Sequence, residues 1–537
     1  MAAYEYIVVG SGCTAAMAAQ TLVESGANVL MIDAGVTDKK YARLIPDKDY
    51  LSIRKTEKDQ YRYLVGDSLE GITWGSVGKG EQITPPRKYI LAKTDEILPT
   101  KSENFSVVES LAYGGLGSGW GIGTWMWSDK ELEKAGLNPE EMAPAYQTVL
   151  DRIGISATND DAQEYTIRSL KNYDKSASAD AIHSRIYKKY KKKREYLKKL
   201  GFVMGRAPLA LITKDRGSRK KYDYSEMEYY SDKKQSAYRP WITINQLKKK
   251  TNFTYVSGQL VTKFEENKSG VIITTQDIDN QKKNTFSAKK LVLAAGIFGT
   301  ARIVLRSQPS KDSSRLPLLC NPYSYVPCIH PASLGRPAEK KKLGFANLSF
   351  FLDEASDNSK ASMASLYGYQ SLMLFRMARQ VPLNFKDARV FLQYLLSGLL
   401  IMGIHHPDSP SPDKYVSLEK DSSSPTNDSL KVHYKLSKEE IAENKRREKK
   451  YMRAMRSLGA FPLKKFAPGN GASIHYAGTL PFSSTPSVHT LDTKGKLHGT
   501  KNVYVADGSG FTYLPAKGLT FSLMANAHRT AMEVLND

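Results

Sequence analysis

The chain has 537 residues, of which 41% are hydrophobic and 10% aromatic, so it is long and apolar enough to fold as two or more globular domains. Its formal net charge is +23, with lysine and arginine concentrated in runs at 188–199, 336–342 and 443–450. We expect these runs to be solvated helix faces, or to meet an anionic membrane surface or a phosphate-bearing substrate. Nucleic acid is not an expected partner, because no nucleic-acid-binding motif accompanies the charge.

The cysteines and histidines do not indicate a disulfide framework or a metal centre. Cys13, Cys320 and Cys328 are an odd number and form no CxxC pair. His405 and His406 have no acidic residues or cysteines at ligand spacing, so we expect no metal site. The N-terminus MAAYEYIVVG does not have the basic and long apolar regions of a signal peptide, which favours a cytoplasmic location.

The first 35 residues predict a strand, a tight turn, a helix and a second strand. An apolar run leads into Gly10, Ser11 and Gly12, an alanine-rich stretch follows, and the next apolar run ends at Asp33. This is the GxGxxA dinucleotide fingerprint: Gly10 permits the turn, Gly12 the close approach of pyrophosphate, and Ala15 tight packing of helix on strand. Asp33 stands where an acid accepts ribose hydroxyls, which disfavours NADP but does not separate FAD from NAD.

Three further segments share small residues at a turn. Residues 110–127 are a glycine cluster with aromatic neighbours, which is typical of backbone pressed against a flat ligand or another segment. Residues 288–307 predict a buried strand, a small-residue turn and a helix, and residues 501–535 predict a strand, a turn and a long C-terminal helix.

The segment 388–404 is almost continuously apolar but shorter than the roughly 20 residues that span a bilayer. We expect a buried helix here. The alternatives are a helix face that lies on a membrane and a wall of an apolar substrate channel.

Together, the four turn-bearing segments resemble the glucose–methanol–choline (GMC) family of FAD-dependent oxidoreductases. The resemblance implies an α/β fold with a Rossmann-like FAD-binding domain, discontinuous in sequence, and a substrate domain built on an antiparallel β-sheet with helices. The FAD-binding domain would comprise 1–160, 246–310 and 465–537, and the substrate domain 161–245 and 311–464. Alternating stretches such as KYVSLEK and LKVHYKLS lend the antiparallel sheet some support.

The resemblance also implies which residues hold the cofactor. Those for the ADP half are Gly10, Ser11, Gly12, Ala15, Asp33 and Ala34, with Val261 at adenine. Those near pyrophosphate and flavin are Gly115, Leu116, Gly117, Ser118 and Gly119. Those that close over ribose, ribityl and the pyrimidine edge are Ala295, Gly296, Asp507, Gly508, Leu519 and Thr520. Relatives with covalent FAD attach it through a histidine where this chain has Gly119, so we expect non-covalent FAD.

By the same resemblance, His475, three residues before Gly478-Thr479, is the catalytic base opposite flavin N5. An imidazole suits removal of a hydroxyl proton near neutral pH. Relatives carry a second histidine or an asparagine where this chain has Gly518. Four residues near Gly518 or His475 in sequence are candidates to supply the second hydrogen bond: Tyr476, Tyr513, Lys517 and Asn526. For each of them, a structural role is the alternative.

We therefore expect an FAD-dependent oxidoreductase that oxidises an alcohol to a carbonyl, with a sugar or sugar-like substrate that is free or linked to a phosphate or lipid carrier. Arg389 and the lysines at 188–193 are candidates for the phosphate. A flavin-binding protein without redox turnover and redox-neutral flavin chemistry are the alternatives. The electron acceptor is left open, and contact with the inner face of an anionic membrane is one option.

Overall fold

The computed structural model describes residues 4–72, 83–225, 231–310, 315–336, 339, 342–368 and 382–537. The basic run 336–342 therefore lies mostly outside the described residues. The helices are α1 (Cys13–Glu24), α2 (Tyr50–Thr56), α3 (Tyr61–Leu64), α4 (Thr94–Ile97), α5 (Asp129–Lys134), α6 (Pro139–Ile153), α7 (Gln163–Thr166), α8 (Ala181–Lys199), α9 (Pro240–Leu247), α10 (Ile297–Ser307), α11 (Phe385–Leu396), α12 (Lys438–Ser457) and α13 (Thr520–Asn536).

Most strands belong to three sheets. The strands are β1 (Tyr4–Val9), β2 (Val29–Ile32), β3 (Thr100–Lys101), β4 (Ser156–Ala157), β5 (Asp174–Lys175), β6 (Phe202–Arg206), β7 (Phe253–Val256), β8 (Gln259–Asn267), β9 (Gly270–Asp277), β10 (Lys283–Leu293), β11 (Arg315–Pro317), β12 (Leu319–Cys320), β13 (Tyr323–Ile329), β14 (Leu348–Leu352), β15 (Ser362–Gly368), β16 (Leu399–His405), β17 (Lys414–Lys420), β18 (Asp428–Tyr434), β19 (Phe461–Pro462), β20 (Tyr476–Ala477) and β21 (Val503–Val505).

The first sheet has the order of a dinucleotide-binding domain. Parallel strands lie side by side as β7, β2, β1, β10 and β21, and β8 and β9 form an antiparallel extension on the first half of β10. The chain thus moves outward from β1 in one direction and then returns to its other side. Ligands of such sheets bind where the carboxyl ends of the strands meet at this reversal.

The second sheet is antiparallel, in the order β19, β13, β16, β15, β14, β6. Because successive side chains of a strand alternate between faces, each face has its own character. One face carries buried apolar side chains such as Val326, Met402 and Phe350, which pack against α8 and α12 in a core of their own. The other face carries Tyr323 and His405, which are directly opposite each other in the register.

Two expectations about the middle of the chain are corrected. KYVSLEK and LKVHYKLS form β17 and most of β18, but these strands join β11 and β3 in a third sheet instead of the antiparallel sheet of the substrate domain. Their alternating pattern fixes a strand but not its partner, which is a long-range choice.

The apolar segment 388–404 is not one buried helix. Helix α11 ends at Leu396 and strand β16 begins at Leu399, and on α11 Val390, Phe391 and Tyr394 are 43%, 49% and 47% exposed. A continuous apolar run does not distinguish a helix from a buried strand, which is why the pattern misled. In the described part of the chain, no helix combines the length and apolarity needed to cross a bilayer.

Candidate active site

The turn after β1 brings three strand ends together through glycine. The Gly10 N–H donates to Ile32 O at 2.8 Å, and the φ of Gly10 is +99°. A Cβ on Gly10 would lie 2.6 Å from the carbonyl oxygen of Ala294, at the end of β10. Only glycine allows this approach, because any side chain would collide with backbone that cannot move aside.

Gly12 precedes α1 and leaves its first N–H groups open. No side chain caps this helix, and a Cβ on Gly12 would meet no atom within 4 Å. A helix N-terminus with free N–H groups attracts anions such as phosphate. The space beside Gly12 is a cradle that a side chain would fill, as a bound pyrophosphate requires.

Ser11 links this turn to the glycine cluster and to Asp33. Its hydroxyl donates to the Asp33 carboxylate and accepts from the Gly114 N–H at 2.8 Å. The Tyr255 hydroxyl also donates to Asp33, at 3.2 Å. Burial raises the pKa of Asp33 to about 6 despite these donors, so the carboxyl is still mainly an ionised acceptor at neutral pH.

The glycine cluster packs on the start of α1. A Cβ on Gly115 would lie 3.4 Å from Gly12 Cα, and one on Gly117 would lie 2.6 Å from Cys13 Sγ. Residues 115–118 form a single 3₁₀ turn, while Gly119 is exposed. The two glycine segments that sequence separates by a hundred residues therefore lie against each other.

The buried carboxylate of Asp507 stabilises the C-terminal turn. Its carboxylate accepts from the Thr300 hydroxyl of α10 at 2.6 Å and from the Ser509 N–H and hydroxyl, and burial raises its pKa. Gly508 O in turn accepts from Gly478 N at 3.0 Å, which connects this turn to the segment of His475. Asp507 thus ties segments together with its carboxylate, so any cofactor contact it makes depends on this arrangement.

The other predicted cofactor residues are placed as follows. Ala15 is fully buried within α1, Ala34 is buried after β2, and Leu116 and Ser118 belong to the 3₁₀ turn. Val261 is buried opposite Thr275 in β8, which begins beside Asp33 because Gln259 N donates to Asp33 O at 3.1 Å. Ala295 and Gly296 precede α10, and Leu519 and Thr520 begin α13. Their contacts with FAD stay predictions, but the open glycines, the uncapped helix and Asp33 fit a dinucleotide.

His475 is half-buried at the edge of β20, and its imidazole stacks on that of His405. The ring centroids are 5.0 Å apart and the planes 19° from parallel. Burial lowers the pKa of His475 to about 4, and it lowers the pKa of His405 well below its ordinary value. Both rings are therefore neutral near pH 7. The preceding residue, Ile474, has a φ of +58°, an unusual conformation for a β-branched residue that is most often found at functional sites.

Asn321 fixes which nitrogen of His475 carries the proton. The Asn321 Nδ2 group donates to the carbonyls of His406 at 2.8 Å and Pro515 at 3.0 Å, so its Oδ1 must be the atom that faces His475. Oδ1 is only an acceptor, and His475 Nδ1 lies 3.0 Å from it. Nδ1 therefore carries the hydrogen, and Nε2 keeps the lone pair that a base needs.

The position that relatives give to a second histidine or asparagine is filled by an aromatic ring. A Cβ on Gly518 would lie 2.7 Å from the ring of Trp125, whose Nε1 donates to Ser349 Oγ at 2.8 Å. Trp125 is buried, and its hydrogen bond to Ser349 fixes the orientation of the ring. Glycine is required at 518 because the indole occupies the space of a side chain.

The four residues considered as replacements for the second hydrogen-bonding group have partners elsewhere in the protein. Tyr476 donates to Gly471 O at 2.7 Å and Tyr513 to Ser359 O at 2.8 Å. Lys517 forms a buried ion pair with Glu131 at 2.7 Å. Asn526 accepts from Arg529, although its Nδ2 is buried without a partner among the described residues. The ring that stacks on His475 is that of His405, to which sequence reasoning gave no role in the reaction.

Aromatic rings surround the stacked histidines. Tyr323 packs on His405 with ring centroids 4.6 Å apart, and its hydroxyl lies 3.4 Å from that of Tyr367. Tyr325, on the same face of β13, stacks on Phe466. The wall beside His475 is therefore formed by aromatic rings.

The lysines at 188–193 lie on α8, which covers the opposite face of the sheet from His405. This placement does not support them as ligands of a substrate phosphate at the base. Arg389 lies on α11, where it is exposed.

Comparisons with known proteins agree with this architecture. Residues 413–527 match the family model of the C-terminal domain of GMC oxidoreductases. Pyridoxine 4-oxidase from Mesorbium loti has the same fold with a TM-score of 0.59 and 13% identity, over 99% of both chains. Formate oxidase from Aspergillus oryzae RIB40, in a structure that concerns FAD modification, also has a TM-score of 0.59 and 13% identity, over 99% of this chain and 98% of its own. No curated protein matches the sequence.

The C-terminal part of the chain thus matches the GMC oxidoreductase family model, and the whole chain shares the fold of two oxidases. The expected α/β fold and the resemblance to GMC oxidoreductases are thereby confirmed.

Replacement by alanine is expected to have different effects at Gly10 and at Gly12. Gly10→Ala should lower the free energy of unfolding by more than about 1 kcal/mol, because its Cβ meets the Ala294 carbonyl and its φ is positive. Gly12→Ala should leave the unfolding midpoint of the apoprotein within experimental error but lower its flavin content, measured by the ratio of visible to 280 nm absorbance. Full flavin occupancy in Gly12→Ala would contradict the assigned cradle.

Proposed function

We propose that the protein oxidises an alcohol to a carbonyl with His475 as the base that removes the hydroxyl proton. The observation that carries the proposal is the Asn321 contact, which leaves Nε2 of a neutral imidazole free of hydrogen. FAD, when bound, supplies the acceptor for the hydride that leaves the alcohol carbon. The names of the two structures with the same fold, both oxidases, support oxidation as the direction of the reaction.

Different residues of the site would bind different parts of the cofactor and the substrate. Gly12 and the first N–H groups of α1 would hold the pyrophosphate, and Asp33 would accept the ribose hydroxyls. Gly119 offers no side chain for a covalent bond, so we propose that FAD is held without one. His475 would take the proton at Nε2 while Nδ1 stays bonded to Asn321, a base contribution of typically about 10²–10⁴ in rate.

His405 would take the place of the missing second donor. Its ring is parallel to that of His475, and its Nδ1 is buried without a hydrogen-bond partner among the described residues. An uncompensated buried nitrogen is costly, which makes a polar substrate group a favourable neighbour. Trp125 would exclude water from the space beside Gly518.

The substrate proposed is a neutral alcohol, with a sugar or sugar-like ring as the class that best suits the aromatic wall. Tyr323, Tyr325 and Phe466 offer flat apolar faces, and the cations of α8 and α12 lie on the other side of the antiparallel sheet. A carrier phosphate or lipid would therefore be bound away from the reacting carbon.

The first test is anaerobic bleaching of the purified flavoprotein by candidate alcohols. The wild-type spectrum should lose its visible flavin bands with a substrate alcohol, and His475→Gln should slow this by about 10²–10⁴. His433→Gln is the matched control, because His433 also stacks on an aromatic ring, Tyr415, but in the third sheet. A flavoprotein that releases a redox-neutral product without bleaching would overturn alcohol oxidation, and one that turns over no alcohol would favour a binding protein.

The pH dependence of the bleaching rate should report the neutral base. Because the pKa of His475 is lowered to about 4, the neutral form is already present at pH 6, and the rate should fall only as pH drops toward about 4. His405 faces it as a second neutral ring. The unfolded histidine titrates near 6.5, so this group costs stability as pH falls from about 6.5 to about 4. A rate that halves near pH 6.5 would contradict the assignment.

Asn321→Asp should move this pH profile. A carboxylate at Oδ1 still accepts from Nδ1 but adds a negative charge beside the ring, which should raise the kinetic pKa by about 1–3 units. Asn526→Asp is the matched control, because Asn526 is also buried but bonds to Arg529. An unchanged profile in Asn321→Asp, with the fold intact by circular dichroism, would remove Asn321 from the mechanism.

A further inference from the structure

Helix α11 exposes an apolar face that the rest of the described chain leaves uncovered. Val390, Phe391 and Tyr394 lie on one side of the helix at spacings of one and three residues, and Leu383 before the helix is 50% exposed. Its buried side is small: Ala388 and Leu392 form a satellite cluster with Leu395. A helix held by so few contacts with large exposed apolar residues on its other side is typical of a surface that meets an apolar phase.

The loop at 330–336 is hydrogen-bonded both to α8 and to the end of α11. Ser397 Oγ, just past the end of α11, donates to Ser333 O at 2.7 Å, and Arg185 of α8 donates to Ser333 Oγ at 2.8 Å. Leu334 on this loop is 38% exposed. The apolar face of α11 and the basic helix α8 therefore flank one short loop.

Helix α8 presents cations beside this loop, one of which, Arg185, is held by the loop itself. Arg185, Lys189 and Lys192 follow each other at spacings of four and three residues, so they form one stripe along α8. Within the described residues, the ion pairs of α8 are those of His183 with Asp180 and of Arg194 with Asp161 and Glu195. The lysines of the stripe thus have no acidic partner among the described residues.

Helix α11 directly precedes the strand that ends at His405. Strand β16 starts two residues after Ser397 and ends at His405, and β13 runs beside it from Ile329 to Tyr323. The length of β16 is about 20 Å at the usual rise per residue.

We propose that α11 and the stripe on α8 form a docking face for an anionic lipid membrane. The face is defined by Leu334, Leu383, Val390, Phe391 and Tyr394, which would enter the interface, and by Arg185, Lys189, Lys192, Lys386 and Arg389, which would meet lipid phosphates. The combination of exposed aromatic and aliphatic side chains with cations suits the headgroup and acyl boundary of a membrane. A nucleic acid would bind to the cations but would leave the aliphatic residues exposed to water.

The test is sedimentation of the holoenzyme with vesicles, compared between phosphatidylcholine alone and phosphatidylcholine mixed with phosphatidylglycerol. We expect binding to the mixed vesicles that weakens with salt, and a loss of at least about tenfold in partitioning for Phe391→Ser with Tyr394→Ser. Lys189→Glu with Lys192→Glu should abolish the preference for the anionic vesicles. Flavin absorbance and the unfolding midpoint would show that each variant is folded.

Matched controls use side chains of similar exposure elsewhere. Val488→Ser with Met532→Ser removes apolar groups that are 49% and 42% exposed, and Lys268→Glu with Lys282→Glu changes the charge by the same amount near β9. Equal partitioning of control and docking-face variants, or no binding to mixed vesicles, would overturn the proposal. So would tight binding of an RNA oligonucleotide that the lysine variants lose while vesicle binding is absent. Docking needs no turnover, so its failure is separate from failure of alcohol oxidation.

Discussion

The close backbone contact at the carboxyl ends of β1, β2 and β10 is the constraint on which the candidate site depends. Gly10 lets the chain pass the Ala294 carbonyl, and the same turn places Gly12 at the open end of α1. Ser11 then bonds to Asp33 on one side and to Gly114 on the other. A larger residue at the turn would separate the strand ends, and the helix, the acid and the glycine cluster would no longer share one surface.

The polar groups around His475, the proposed base, are fixed in a poorly solvated place. Burial keeps His475 neutral, and the amide of Asn321 is oriented by backbone carbonyls before it meets the imidazole. Such preorganisation reduces what must be rearranged when a proton moves. The indole of Trp125 fills the space beside Gly518, and the ring of His405 comes from the antiparallel sheet.

The antiparallel sheet separates two environments. One face, under α8 and α12, is a closed apolar core whose helices carry much of the positive charge on their outer sides. The other face carries the aromatic wall beside His475. The high net charge therefore belongs to the outside of the molecule, and the reacting centre can stay uncharged.

Several elements of the protein are encoded by local sequence patterns. Strand β1, helix α1, strand β2 with Asp33, and the C-terminal helix were predictable because hydrophobic period, glycine turns and one acid stand within a short stretch of chain. The family, its cofactor and the candidate role of His475 followed from the order of four such stretches.

The neighbours of His475 are set by long-range contacts in the folded chain. Asn321, Trp125 and His405 come from three distant segments, and none has a local signal that marks it. The same holds for the division of 388–404 into an exposed helix and a buried strand, and for the separate sheet of β17 and β18. These features depend on which surfaces meet after the chain has folded, and a one-dimensional pattern of apolar and polar residues does not specify that pairing.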